Sequence, residues 1–172
     1  MTKRERVINS IHKRNDGCNP YQLDLTLGKQ AELAAYFKDD EFLYNHVGNH
    51  LIREKNKNHR KIDENRYMDI FGVIWKAEQK GGDIGTVENY VFSKPDISMF
   101  TFPVPDETLI NEKCERMINN HPDLFKIYEI GFSMFERAWT LRGMDNLLMD
   151  FLLNPEFVNE LLTKSSNITL AL

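Results

Sequence analysis

The sequence predicts an α/β fold, and three observations carry the prediction. Two stretches, Tyr21–Leu27 and Phe125–Gly131, alternate apolar and polar residues with the period of two that a strand requires. Segments with helical spacing and capping residues flank both of them. Between them an aromatic and β-branched run, Tyr67–Trp75, is followed by Gly81-Gly82 and TVENYVFS, the pattern of a hairpin.

In chain order, Thr2-Lys3-Arg4-Glu5 forms a capping box, with Thr2 as N-cap and Glu5 reaching back. Val7, Ile8 and Ile11 share one face of the helix that follows, which Asn15-Asp16-Gly17 ends. The first strand comes after Pro20, and helices are expected over 29–38 (KQAELAAYFK) and 40–51 (DEFLYNHVGNHL). A polar stretch, KNKNHRKIDENR, leads into the strand Tyr67–Trp75 and its return. PVPD at 103–106 is a loop presenting Asp106 as N-cap of a helix that reaches Asn119.

His121-Pro122-Asp123 breaks the chain before the second alternating strand, and Ser133 is placed to cap the next helix. Gly143 fits a C-terminal stop, with a short helix over Met144–Leu153 beyond it. Asn154 and Pro155 then suit the N-cap and first position of the last helix. Leu147, Leu148, Phe151 and Leu152 share a helical face assigned to the core, as do Phe157, Leu161 and Leu162.

The 172 residues suit a single domain, and 41% hydrophobic content suffices for a core. Twenty-two basic and 26 acidic residues leave a formal charge of -4, no general reason to expect a nucleic-acid partner. Cys18 and Cys114 lie outside any CxxC spacing, and the first residues lack the apolar core of a signal peptide. No run approaches the ~18 apolar residues of a membrane span. A cytoplasmic protein with reduced thiols and no membrane partner is expected, so the sequon Asn167-Ile168-Thr169 carries no weight.

The candidates for chemistry each carry a structural alternative. His46 and His50 stand one helical turn apart, as in a metal pair, but Val47 occupies the place of a zinc protease's glutamate and no third ligand is evident. Cys114 sits with Met117 and Ile118 on a helix face, as core filler would, and Cys18 is left open between ligand, nucleophile and neither. Asp24, inside the first strand, either faces water or, in a closed barrel, needs a partner or a task. Asp69 before the apolar run Ile70–Trp75 serves a turn or a site. Arg137 and Arg142 offer planar forks for carboxylate or phosphate, against the alternative of ordinary ion pairs.

Three stretches resemble one family. TKRERVINSIHKRNDGCNPYQLDL is similar to the capped helix, loop and first barrel strand of the uroporphyrinogen decarboxylase superfamily. Tyr67–Lys76 resembles the D-x-(W/F)-G-V-x-W hairpin of its decarboxylase-like branch. Phe132–Asn146 with Asn154-Pro155-Glu156 resembles that branch's F-E-R-A-W-x-L-R-G-M-E-N … N-P-E. The matches keep family order and span almost the whole chain.

The resemblance implies the N-terminal portion, over residues 1–172, of a TIM (β/α)8 barrel with extra N-terminal helices and a β-hairpin insertion, its site at the C-terminal ends of the strands. Members of the superfamily decarboxylate a porphyrinogen without cofactor or move methyl groups between a substrate and a corrinoid protein, with zinc in the methyltransferases. True porphyrinogen decarboxylases carry an arginine-rich loop after the first strand. Residues 24–30, Asp-Leu-Thr-Leu-Gly-Lys-Gln, contain no arginine, so an octa-anionic substrate is disfavoured.

The expected activity is therefore that of a methyltransferase relative acting on a small methylated substrate. Asp24 and Asp69 are its candidate catalytic groups, and Arg137, Trp139 and Arg142 its candidate substrate contacts. Zinc and a corrinoid protein are implied only by the resemblance, and no His-x-Cys zinc pair occurs in the sequence. A full barrel needs ~250 residues. Either the chain is a shortened form or two copies complete something together, and a half-barrel's open edges and apolar face make self-association the expectation. The competing expectation is a catalytically silent module that acts by assembly.

Overall fold

The computed structural model describes residues 1–14, 17–55, 59–77 and 85–171. The expected turn residues Asn15-Asp16 and Gly81-Gly82 lie outside them. In chain order the elements are α1 (Lys3–Ile11), α2 (Leu27–Phe37), α3 (Phe42–Asn45), β1 (Leu51–Lys55), β2 (Arg60–Lys61), β3 (Arg66–Met68) and β4 (Ile74–Ala77). Then come β5 (Gly85–Val87), α4 (Glu107–Asn120), β6 (Phe125–Glu129), α5 (Met134–Arg142), α6 (Met144–Leu153) and α7 (Pro155–Leu170). The fold is mixed α/β. Among the described residues no helix is long and apolar enough to cross a membrane.

The chain divides into two units. The first comprises Met1–Lys55 and Thr108–Glu129, with a sheet of two parallel strands, β1 and β6, in register from Leu51↔Phe125 to Lys55↔Glu129. Ile52, Met117 and Leu124 form its core cluster with Tyr44 packed alongside. The capping box of α1 is formed in both directions, Glu5 N–H donating to Thr2 Oγ1 and Thr2 N–H to a Glu5 carboxylate oxygen. A backbone bond of 2.7 Å from Arg4 N–H to Asp123 O ties that helix to the turn before β6.

The expected strand Tyr21–Leu27 is corrected: among the described residues this stretch has no strand, and α2 already begins at Leu27 with Thr26 as N-cap. Side chains take the place of a backbone ladder. The Asn49 amide donates to Leu23 O and accepts from Leu23 N–H, both at 2.9 Å, and the Gln22 side chain accepts from Leu51 N–H. The segment thus runs extended beside the start of β1 without pairing as a strand, and β6 takes a different parallel neighbour. Neither sheet closes, and the barrel expectation is not realised in these strands.

The helix expected over 40–51 shrinks to the single turn α3. Val47 N–H reaches back to Phe42 O and Asn49 N–H to Leu43 O, while Gly48 takes a positive φ of 86°. That turn frees Asn49 for Leu23 and separates His46 from His50, so the two imidazoles do not share a helical face.

The second unit comprises the described parts of Asn56–Lys80, Ile84–Glu107 and Ile130–Leu172. Its four-stranded sheet is antiparallel in the order β2-β3-β4-β5, and its three C-terminal helices α5, α6 and α7 pack on one another. The core runs from Phe71, Val73 and Trp75 through Phe92 and Ile97 to Leu141, Leu147, Val158 and Leu161. The expected strand Tyr67–Trp75 is two strands, because the chain reverses at residues 69–73 where Gly72 takes φ +82°. The expected return strand after it survives as β5, paired with β4.

Gly143 stops α5 at φ +88°, where a Cβ would meet the Tyr90 ring at 3.2 Å, and Asn154-Pro155 opens α7 as expected. The face of α6 turned inward differs from the expected one. Leu147 is buried, but Leu148, Phe151 and Leu152 are exposed, because buried Asp150 is turned inward beside Leu147.

His50 gives the first unit a pH dependence. It is buried with its Nε2 3.2 Å from the Arg6 guanidinium, which donates, so the imidazole is held neutral. Burial, then the charges of Arg6 and Lys3, lower its pKa. A histidine whose folded pKa lies below its unfolded value of about 6.5 contributes stability that is complete above that value and is lost as pH falls toward the folded one. We expect the urea midpoint to fall between about pH 7 and pH 5 and the fall to shrink in His50→Gln, whose amide oxygen can still accept from Arg6. An unchanged pH slope in that variant would contradict this role for His50.

Candidate functional site

The five candidate residues fall into separate surroundings. Asp69 and Arg137 are brought together in the second unit. Asp69 caps the β3–β4 reversal: its Oδ1 accepts from Phe71 N–H at 2.9 Å and Val73 N–H at 3.1 Å, and its backbone closes the turn with Val73 O and Gly72 N–H. Its Oδ2 accepts from Trp75 Nε1 at 3.2 Å and from the Arg137 guanidinium at 2.7 Å. The carboxylate is 5% exposed as a residue, so these four donors replace the water it would otherwise hold.

Arg137 reaches this carboxylate from α5, across 68 residues of sequence. Its guanidinium lies 4.1 Å from the centre of the Phe71 ring and 5.9 Å from that of Phe132, two cation–π contacts. Trp75 stacks on Phe132 at 5.2 Å, so charge and aromatic faces alternate through the cluster. The Arg137 Nε has no hydrogen-bond partner among the described residues although it is buried. Trp139, on the same helix, is half-buried and meets Phe132 edge-on at 6.5 Å.

Arg142 is 7% exposed, and its donors are used inside the unit. Nε donates to Asp150 Oδ2 at 2.6 Å, and a terminal nitrogen donates to the carbonyls of Phe92 and Ser93 at 3.1 and 2.9 Å. Asn154 completes Asp150 by donating to its other oxygen at 2.7 Å. The guanidinium therefore joins the end of α5, the loop at 92–93 and α6.

Asp24 lies in the first unit and does not belong to the Asp69–Arg137 cluster. It is exposed and paired with Arg53 of β1, whose hydrogen bond holds the carboxyl below its ordinary range and raises the guanidinium in turn. Arg53 and Lys55 also face Glu129 at 3.9 and 3.4 Å, a row of alternating charge at the C-terminal ends of the parallel strands.

Sequence reasoning missed Asp150, Trp75 as a donor, and Arg53. An acid flanked by Met149 and Phe151 in an otherwise apolar helix was the available sign for Asp150. Leu51-Ile52 ahead of Arg53 was a weaker one, because the expected helix ended on Leu51 and left Arg53 at the start of a polar stretch. Neither His46, which stacks on Phe37 and faces Asp39, nor His50 collects further ligands. Among the described residues no three His, Cys, Asp or Glu side chains gather to hold a metal ion.

No family model matches the chain, and no match was found among curated proteins or solved structures.

Buried and exposed ion pairs make opposite demands on stability. Arg142→Met strands the Asp150 carboxylate in the interior and is expected to cost about 3–5 kcal/mol, whereas Arg53→Met removes a partly exposed pair and costs roughly 1 kcal/mol or less. Chemical denaturation of the two variants checks the contrast. Equal losses would mean that Arg142 is not held as described.

Proposed function

We propose that the chain is a portion of a uroporphyrinogen decarboxylase-like (β/α)8 barrel, related to the corrinoid-dependent methyltransferases and acting on a small methylated substrate in the cytoplasm. The observation that best supports this reading is the meeting of Asp69, Trp75 and Arg137. The stretches that carry the resemblance, 67–76 and 132–146, share one buried cluster although they are far apart in sequence. The parallel β1–β6 pair, with α4 leading into β6, is the kind of unit such a barrel repeats, and the antiparallel hairpins correspond to its insertion.

In this reading Arg137, whose Nε is not used by Asp69, is the cation that meets an anionic group of the substrate, and Trp139 supplies an apolar wall. Asp69 fixes the guanidinium against Phe71 and so positions it. Arg142 joins elements behind the site through Asp150. Asp24 does not belong to this cluster; within the first unit it is a separate candidate for proton exchange, its carboxyl held below the ordinary range by Arg53. Among the described residues no three His, Cys, Asp or Glu side chains are placed to hold zinc. A second reading, a catalytically silent module acting by assembly, is favoured by the internal engagement of both arginines.

The test is methyl transfer to reduced free cobalamin by the natural gene product, with methylated amines, thioethers and ethers as donors and the cobalamin spectrum as readout. We expect methylation with one donor class, reduced at least about tenfold, the equivalent of 1.4 kcal/mol, in Arg137→Met. Consumption of uroporphyrinogen in place of methyl transfer would overturn the methyltransferase reading, and inactivity toward every substrate would favour the silent module.

A further inference from the structure

Helix α6 is turned so that Asp150 points in and its apolar row points out. Arg142 and Asn154 draw Asp150 into the interior beside Leu147. Met144, Leu148, Phe151 and Leu152, spaced i, i+4, i+7 and i+8, are left toward solvent with Leu153 beside them. Leu152 is 85% exposed and Leu153 73%, values unusual for leucines on a packed helix. Phe135 of α5 stacks on Phe151 with ring centres 6.4 Å apart, so the patch continues across two helices.

We infer that this α5–α6 face is the contact surface between two copies of the chain, with the two α6 helices antiparallel about a two-fold axis near Leu148. Three arguments select this occupant. Six large side chains, each worth about 150–200 Å² when fully open and here 38–85% exposed, present on the order of 600 Å² of apolar surface. That is the lower end of what one partner contributes to a specific interface, roughly 600–1,000 Å². The row is also self-complementary, since residues at this spacing on one helix interdigitate with the same row running the other way.

Charge supplies the third argument. The one acid on the outer side of α6, Asp145, sits at its N-terminal end, and α6 contains no lysine or arginine. An antiparallel approach about Leu148 offsets the two Asp145 residues by six positions, ~9 Å along the helix axis, about one screening length at physiological salt, ~8 Å. A parallel approach would set them side by side. The absence of basic residues disfavours an anionic lipid surface, which amphipathic helices usually approach through lysine and arginine. The inference rests on neither reading of function.

Sedimentation velocity over a dilution series reads the outcome. The chain is expected to form a dimer that dissociates on dilution. Leu148→Glu and Leu152→Glu should be monomeric at every concentration with unchanged circular dichroism, while Tyr36→Glu, on exposed α2, keeps the dimer. In a Cys18→Ser, Cys114→Ser background, Leu148→Cys should form an intermolecular disulfide under mild oxidation. A monomer at the highest concentration, a dimer that persists in Leu152→Glu, or a dimer without the Leu148→Cys cross-link would overturn the proposal. So would a wild-type monomer that binds anionic vesicles or a different protein through this face.

Discussion

The second unit depends on one carboxylate. Asp69 ends β3, closes the reversal into β4 through two backbone amides, and takes Arg137 from α5 on its other oxygen. An ionised carboxylate moved out of water costs several kcal/mol, and the interior offsets this only when its acceptor sites are filled. Four donors fill them. The consequence is directional: with the turn fixed, Phe71 and Val73 enter the core on either side of Gly72, and Trp75 follows them with its indole N–H satisfied. The hairpin, the indole and the helix therefore share a single polar centre inside an apolar surround.

Arg142 and Asp150 repeat the device one helix later. Here the cation gathers two carbonyls of the loop before Ile97 and an acid from α6, so the end of α5 is keyed to both. Such pairs add little net stability over a well-packed apolar replacement, but they penalise misplacement heavily. Their effect is to specify how the helices sit. In α6 the specified rotation puts an acid inside and leucines outside, which an apolar core alone would not select. The exposed row on α6 is in this sense a consequence of the buried pair.

Much of the fold was legible because its signals are local. The capping box at Thr2, the glycine stop at 143, Asn154-Pro155 and the alternation that became β6 all act within a few residues, and they appear as read. Features decided by distant side chains were not legible. Tyr21–Leu27 has the alternation of a strand, but Asn49 and Gln22 occupy the backbone groups that a neighbouring strand would use. The apolar run 67–75 looks continuous because nothing in its composition reveals that Asp69 folds back on residues 71 and 73. The face of α6 was misjudged because hydrophobicity was weighed without Arg142. In the candidate site, the pairing of Asp69 with Arg137 joined two residues already singled out, while Trp75 and Asp150 entered only through geometry.

The most direct test of the Asp69 centre is a double-mutant cycle on stability with Asp69→Asn, Arg137→Met and the two combined. Contacting charged groups in a buried network couple by up to about 3 kcal/mol, and the account predicts a coupling of at least about 1.5 kcal/mol here, with the double variant less destabilised than the sum of the singles. Losses that add to within about 0.5 kcal/mol would show that the carboxylate and the guanidinium act independently, and would contradict the claim that one polar centre organises the hairpin and the helix.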